Sequence, residues 1–206
     1  MSTRLAREKA DKRVLRTHEA LRSALMELMI EHGYERISVQ DVLDRANVGR
    51  ATFYLHYRSK EDLLKRALDV LRDLLVREWD LSRREKTEAP SLGFCLAFFR
   101  HIDSHRLLYR AVVGRESGMI VDRQMRRLLA DLMRVEVLSI QHRDKPNNQT
   151  EIATQYFVGA LMSLVTWWLD HNIRIDADAL ADSFQQMSRS ALVALADLNR
   201  YGRVVR

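Results

Sequence analysis

The stretch NVGRATFYLHYRSKEDLL, Asn47 to Leu64, sets Phe53, Tyr54, Tyr57 and His56 among Arg50, Arg58 and Lys60. Ammonium and guanidinium groups bind phosphate, and arginine pairs with a guanine edge through two parallel hydrogen bonds. Gln40, a short way upstream, can do the same with adenine, while a residue as small as Ala51 lets backbone approach or meets a thymine methyl. The chemistry on offer is recognition of a polyanion that displays base edges. A core helix would not hold so many cations, nor a solvated face so many rings. The segment is therefore read as packed by protein on one side, through Val48, Phe53 and Tyr57, and presented to a charged partner on the other.

Side chains used this way need short elements held at fixed angles. Two prolines and seven glycines in 206 residues, with no alternating apolar and polar run, predict an all-α chain of about nine helices, three of them short and clustered before residue 60. Leu21, Leu25, Leu28 and Met29 place a first helix over about Asp11 to His32, closed by Gly33. Ser38 with Asp41 opens a short helix to Ala46. Asn47 turns the chain, and another short helix covers Gly49 to Tyr57. Ser59 with Asp62 opens a long one to about Asp80. Beyond the polar connection SRREKTEAP (82–90), helices are expected over Pro90–Ser104, Ser104–Val113, Met119–His142, from Asn148 (with Glu151) to Asp170, and from Asp176 to Asn199. GRESG (114–118) and RDKPNN (143–148) are read as breaks.

Two short helices across a tight turn, braced by a third, form a helix-turn-helix. Its second helix must enter a groove only about 12 Å wide, which limits its length. Val39, Val42, Leu43, Val48 and Phe53 can fill the small core, leaving Gln40, Arg50, Ala51, Thr52 and Tyr54 outward, with Tyr54, His56 and Lys60 near phosphates. GYERISVQDVLDRANVGRATFYLHYRSKEDLL (33–64) resembles the DNA-binding domain of TetR/AcrR-family transcriptional regulators, through Gly33–Tyr34, Ser38–Val39, Val42, Ala46, Val48, Thr52–Phe53–Tyr54, His56–Tyr57, Ser59–Lys60 and Leu63. The family's DNA-contacting positions correspond to Ser38, Gln40, Arg50, Ala51, Thr52, Tyr54, His56 and Lys60. Two positions depart from its pattern: Asn47 replaces the usual turn glycine and Leu43 a smaller residue.

The charge agrees. Residues 1–60 carry twelve Lys and Arg against eight Asp and Glu, so most of the net +6 lies in the first third. Residues 1–60 are accordingly assigned to DNA binding, with 1–10 as a flexible basic arm, and 61–206 to sensing and dimerisation. For the latter region the resemblance implies an unidentified small-molecule effector, a homodimer and a palindromic double-stranded operator, from which a repressor would be released. YFVGALMSLVTWWLDHN (156–172), with Gly159 and Ser163 four apart, and the alanine-rich last helix would pair with their symmetry mates. Phe98, His101, His105, Tyr109, Met119, Met125, Tyr156 and Trp168 are the expected ligand-lining residues. An architectural or partner-recruiting protein, or an activator, on the same fold is the alternative.

Other classes find little support. No phosphate loop, dinucleotide fingerprint, HExxH or nucleophile elbow occurs, so no enzyme activity or catalytic residue is expected. His101 and His105 lack a third ligand, so no metal or cofactor is expected. The lone Cys95, the absence of an apolar leader and apolar runs shorter than the roughly 20 residues of a membrane span point to the cytoplasm without membrane association.

Overall fold

The computed structural model describes residues 2–84, 92–113, 118–171 and 175–201, and of residues 2–11, 82, 83 and 196–201 the backbone alone. Regular structure in these residues is helical throughout: α1 (Ser2–His32), α2 (Val39–Ala46), α3 (Arg50–His56), α4 (Lys60–Arg84), α5 (Phe94–Ser104), α6 (Arg106–Val112), α7 (Met119–Ile140), α8 (Asn148–Asp170) and α9 (Ala177–Tyr201), plus a 3-10 turn at Tyr34–Arg36. The all-α expectation holds. Before residue 60 stand two short α-helices and that 3-10 turn; the third short α-helix is α6. Residues 1–10 were expected as a loose arm, but α1 already begins at Ser2. The side chains of Arg4, Arg7 and Lys9 lie outside the described residues, as do most of 82–90 and residues 114–117 of the two predicted breaks.

The chain forms two compact units, one of residues 1–69 with 111–122 and one of 70–110 with 123–206. In the first, α1 buries Leu21, Ala24, Leu25, Leu28 and Met29 along one stripe. The same unit also buries Tyr34, Ile37, Val42, Leu43, Phe53, Tyr57, Leu63 and Leu64, and α2 and the 3-10 turn pack on α1. Burying each of the larger apolar side chains is worth about 1.5–3 kcal/mol, which is what holds such short helices in place. Gly33, at φ 76°, ends α1 in a region where a β-carbon would be strained. At Gly118 the need is steric: a β-carbon would lie 1.7 Å from the Val112 carbonyl oxygen.

The second unit has an aromatic core. α5 contributes Phe94, Cys95, Phe98, Phe99 and Ile102, and α8 contributes Phe157, Leu161, Val165 and Trp168. α7 adds Leu129, Met133 and Val137, while α9, which packs on α5, adds Leu180, Phe184 and Leu192. Arg100 binds both carboxylate oxygens of Asp178 at 2.7 Å, joining α5 to α9, and Arg134 holds Glu151 of α8 in the same two-pronged way. The start of α8 differs from expectation by one residue. Asn147, not Asn148, is the cap, and it forms a reciprocal box with Thr150. The expectation that no segment is long and apolar enough for a membrane is also corrected. α8 qualifies by length and composition, because its apolar residues form much of this core.

Candidate nucleic-acid interface

The turn between α2 and α3 is built from local hydrogen bonds. Ser38 caps α2, its hydroxyl accepting from the Asp41 N–H, while the Asp41 carboxylate accepts from the Ser38 N–H at 2.7 Å. These bonds hold the Asp41 carboxyl below the usual range. Asn47 ends the helix at φ 51°, ψ 46°, the left-handed conformation that asparagine tolerates, so the missing turn glycine costs the turn little. Leu43, the other departure from the family pattern, is buried in the core. On the outer side Arg45 spans to α1, with a two-pronged pair to Glu31 and a 3.1 Å contact to Glu27.

α3 is seven residues long and has two faces. Phe53 is buried, its ring 5.4 Å from that of Tyr57, which closes the helix from behind. Tyr57 Oη lies 2.5 Å from His18 Nδ1 of α1, within hydrogen-bond distance. Burial, then the nearby His56 and Arg66, disfavour the protonated form of His18. Arg50, Ala51 and Tyr54 lie on the exposed face, Thr52 and His56 are half-buried, and the His56 ring rests edge-on to His18 at 4.7 Å. Ser38 and Gln40 of α2 are exposed as well. All eight expected DNA-contacting residues thus fall within the first unit.

Lys60 departs from the simple phosphate reading. Its Nζ donates to the carbonyls of Tyr34 and Ile37, at 2.8 and 2.6 Å, and lies 4.3 Å above the Tyr34 ring. Two of its three donors are committed to the 3-10 turn, and burial lowers its proton affinity. Its first task is to pin that turn against α4, leaving one N–H for an anion. The helix cap expected at Ser59 is present, with its hydroxyl accepting from Asp62 N–H at 3.2 Å. Asp62 itself accepts from the Arg58 N–H rather than from Ser59.

One residue escaped the sequence reading. Leu55 is 80% exposed, on the side of α3 opposite Phe53 and Tyr57. A leucine two positions from each buried ring points the other way by helical geometry, and that signal could have found it. An apolar side chain presented there suits a thymine methyl or a deoxyribose face.

The expected ligand-lining residues separate. Phe98, Tyr109, Met125 and Trp168 are buried in the second unit, and His101 is half-buried with its ring 5.8 Å from Tyr109. Burial, then His105, holds the His101 imidazole down to about 4. His105, Met119 and Tyr156 are exposed, which sets them outside this interior, and Met119 belongs to the first unit. Among the described residues no cluster of three or more His, Cys, Asp or Glu has metal-site geometry.

The chain is similar to known proteins in sequence and in fold. Residues 21–67 match the family model described as bacterial regulatory proteins, tetR family, and residues 91–190 match that of a transcriptional regulator C-terminal region. An uncharacterized HTH-type transcriptional regulator of Bacillus subtilis (strain 168), YxbF, is 45% identical over 56 residues, 27% of this chain; the match spans only 15% of that relative. A TetR transcriptional regulator from Streptococcus agalactiae 2603V has the same fold, with TM-score 0.62, 22% identity, and coverage of 88% of this chain and 98% of its own. So does FadR from Bacillus subtilis in complex with stearoyl-CoA, with TM-score 0.57, 18% identity, and coverage of 84% and 97%.

Proposed function

Because this chain belongs to the tetR family of bacterial regulatory proteins, we propose that it is a cytoplasmic homodimeric repressor that leaves a palindromic operator when a small molecule binds its second unit. The observation carrying the DNA half is the two-sidedness of α3: Phe53 and Tyr57 are buried while Arg50, Ala51, Tyr54 and Leu55 are exposed. Arg50, Ala51, Thr52, Tyr54 and Gln40 are assigned to base edges. Ser38, His56 and the remaining Lys60 donor are assigned to phosphates.

Two recognition helices are needed for two half-sites, and the exposed faces of α8 and α9 suit a dimer. Ile152 and Tyr156 of α8 are 70% and 62% exposed, and Trp167 of α8 and Met187 of α9 are exposed as well. Between them Gly159 has open space where a β-carbon would sit. A symmetry mate laid along these helices would complete a four-helix interface.

For the effector, the interior around Phe98, Met125 and Trp168 offers apolar contact, with His101 and Tyr109 as its polar members. The Bacillus subtilis neighbour holds stearoyl-CoA, which supports an apolar or acyl-bearing molecule here. Binding would favour dimer conformations whose two α3 helices no longer fit successive major grooves.

Selection of bound sequences from random DNA, followed by a ligand screen for release of the best site, tests both halves. The expected product is a palindrome with half-sites one helical turn, about 34–36 Å, apart or a multiple of that. Failure to enrich any sequence would defeat the DNA reading. A palindrome that no ligand releases would defeat the sensing half alone.

A further inference from the structure

Gln40 and Asp44 lie one turn apart on the exposed face of α2, and Gln40 Nε2 donates to Asp44 Oδ1 at 2.8 Å. A carboxylate has acceptors only, so it binds the amino end of an amide and repels the carbonyl end. A free glutamine amide turns over readily, because its terminal torsion is broad and two-fold. Beside Asp44 one of its two orientations is removed. The neighbouring cation does not compete for Asp44, since Arg45 is committed to Glu31 and Glu27.

We propose that Asp44 is a positioning residue that sets the Gln40 amide to read adenine in each operator half-site. With its amino group tied to Asp44, Gln40 keeps one N–H donor and its carbonyl acceptor. Adenine displays the complement in the major groove, an N7 acceptor beside an N6 amino donor. Guanine displays two acceptors, N7 and O6, so the fixed carbonyl would meet a carbonyl. The inference rests on the proposed DNA-facing role of α2.

The position makes the effect separable from folding. Asp44 lies in the last turn of α2, where the helix dipole disfavours an anion, and an exposed glutamine–aspartate pair adds little to the stability of a helix. Its charge also faces the side assigned to a polyanion. Removing it should leave the unit folded and raise non-specific DNA binding slightly.

The test is selection from random DNA with the full-length protein and its Asp44→Ala, Asp44→Asn and Gln40→Ala variants. Wild type is expected to select adenine at one symmetric pair of positions, and Gln40→Ala to lose that preference about tenfold or more. Both Asp44 variants are expected to lower the adenine-to-guanine ratio several-fold at that pair and to leave the other positions unchanged. If they keep the wild-type ratio while Gln40→Ala loses it, the role of Asp44 is overturned and the DNA-facing reading stands. If Gln40→Ala alters no position, both fall. A loss spread evenly over every position would mark Asp44 as structural, and overturn the proposal as well.

Discussion

Lys60 shows what residue spacing can and cannot say. A lysine at the start of a helix reads as a phosphate ligand, because helix dipole and ammonium favour the same anion. Its actual partners are two carbonyls of a turn 26 and 23 residues upstream, a contact that only the folded chain creates. Lys60→Met should therefore destabilise the protein by about 1–2 kcal/mol in denaturant unfolding, after allowance for solvent screening, and also flatten the salt dependence of DNA binding. A flatter salt slope with unchanged stability would return the residue to a purely electrostatic role. Under the same ammonium, Tyr34 is fully buried and its hydroxyl has no hydrogen-bond partner among the described residues. Burial pushes its ionisation well above the ordinary tyrosine range. Tyr34→Phe removes an unpaired polar atom and keeps the ring beneath Lys60, so we expect a gain of about 1 kcal/mol in the same measurement. Arg50 is exposed, on the face of α3 proposed to read the bases. Arg50→Ala should cost about 1–3 kcal/mol on the selected site and much less on random DNA, measured by titration at fixed salt.

At the scale of elements the sequence was most legible where signals are local. The Ser38–Asp41 box, the left-handed Asn47 and the Asp176 cap, whose carboxylate accepts from Ala179 N–H at 2.7 Å, all occur where residue type placed them. Each rests on a bond between residues three or four apart, so the sequence contains both partners. The cap of α8 was misplaced by one residue because Asn147 and Asn148 are equally good caps; Thr150, whose hydroxyl also reaches Gln141, decides between them. The two-pronged Arg134–Glu151 bond and the buried Trp79–Glu136 contact were invisible, since nothing in either segment names the other. The same locality makes the α2 cap testable. Ser38→Ala should lower stability by about 1 kcal/mol, and Ser38→Gly by a few tenths, if the box holds α2 as its geometry indicates. Asn47→Gly should be neutral or slightly stabilising in thermal unfolding, whereas Asn47→Val should cost more than 1 kcal/mol, because only the branched residue is strained at φ 51°.

For the whole molecule, pH and assembly are the levers. Burial holds His101 near 4 against 6.5 when unfolded, and His18 is shifted in the same direction. Between those values the two imidazoles bind more protons in the unfolded chain than in the folded one, so their contribution to stability falls as pH drops from about 7 toward 4. His101→Gln should remove about 1–2 kcal/mol of that fall in unfolding measured at pH 7 and pH 5, leaving the part due to His18. Assembly was only partly legible, because an apolar stripe on a helix reads alike whether it packs within a subunit or between two. Burial separates the cases: Phe157, Leu161, Val165 and Trp168 of α8 are covered by their own chain, while Ile152 and Tyr156 are not. If a second copy covers them, Ile152→Glu with Tyr156→Glu places two charges in an apolar interface without touching either core. Sedimentation should then report a monomer whose helical circular dichroism is unchanged. Operator affinity should drop at least about a hundredfold, because a half-site bound alone loses the effective concentration that its tethered partner supplies. A variant that stays dimeric with full operator affinity would place the interface elsewhere. A monomer that keeps that affinity would instead remove the need for two recognition helices, and with it the physical reason for expecting a palindrome.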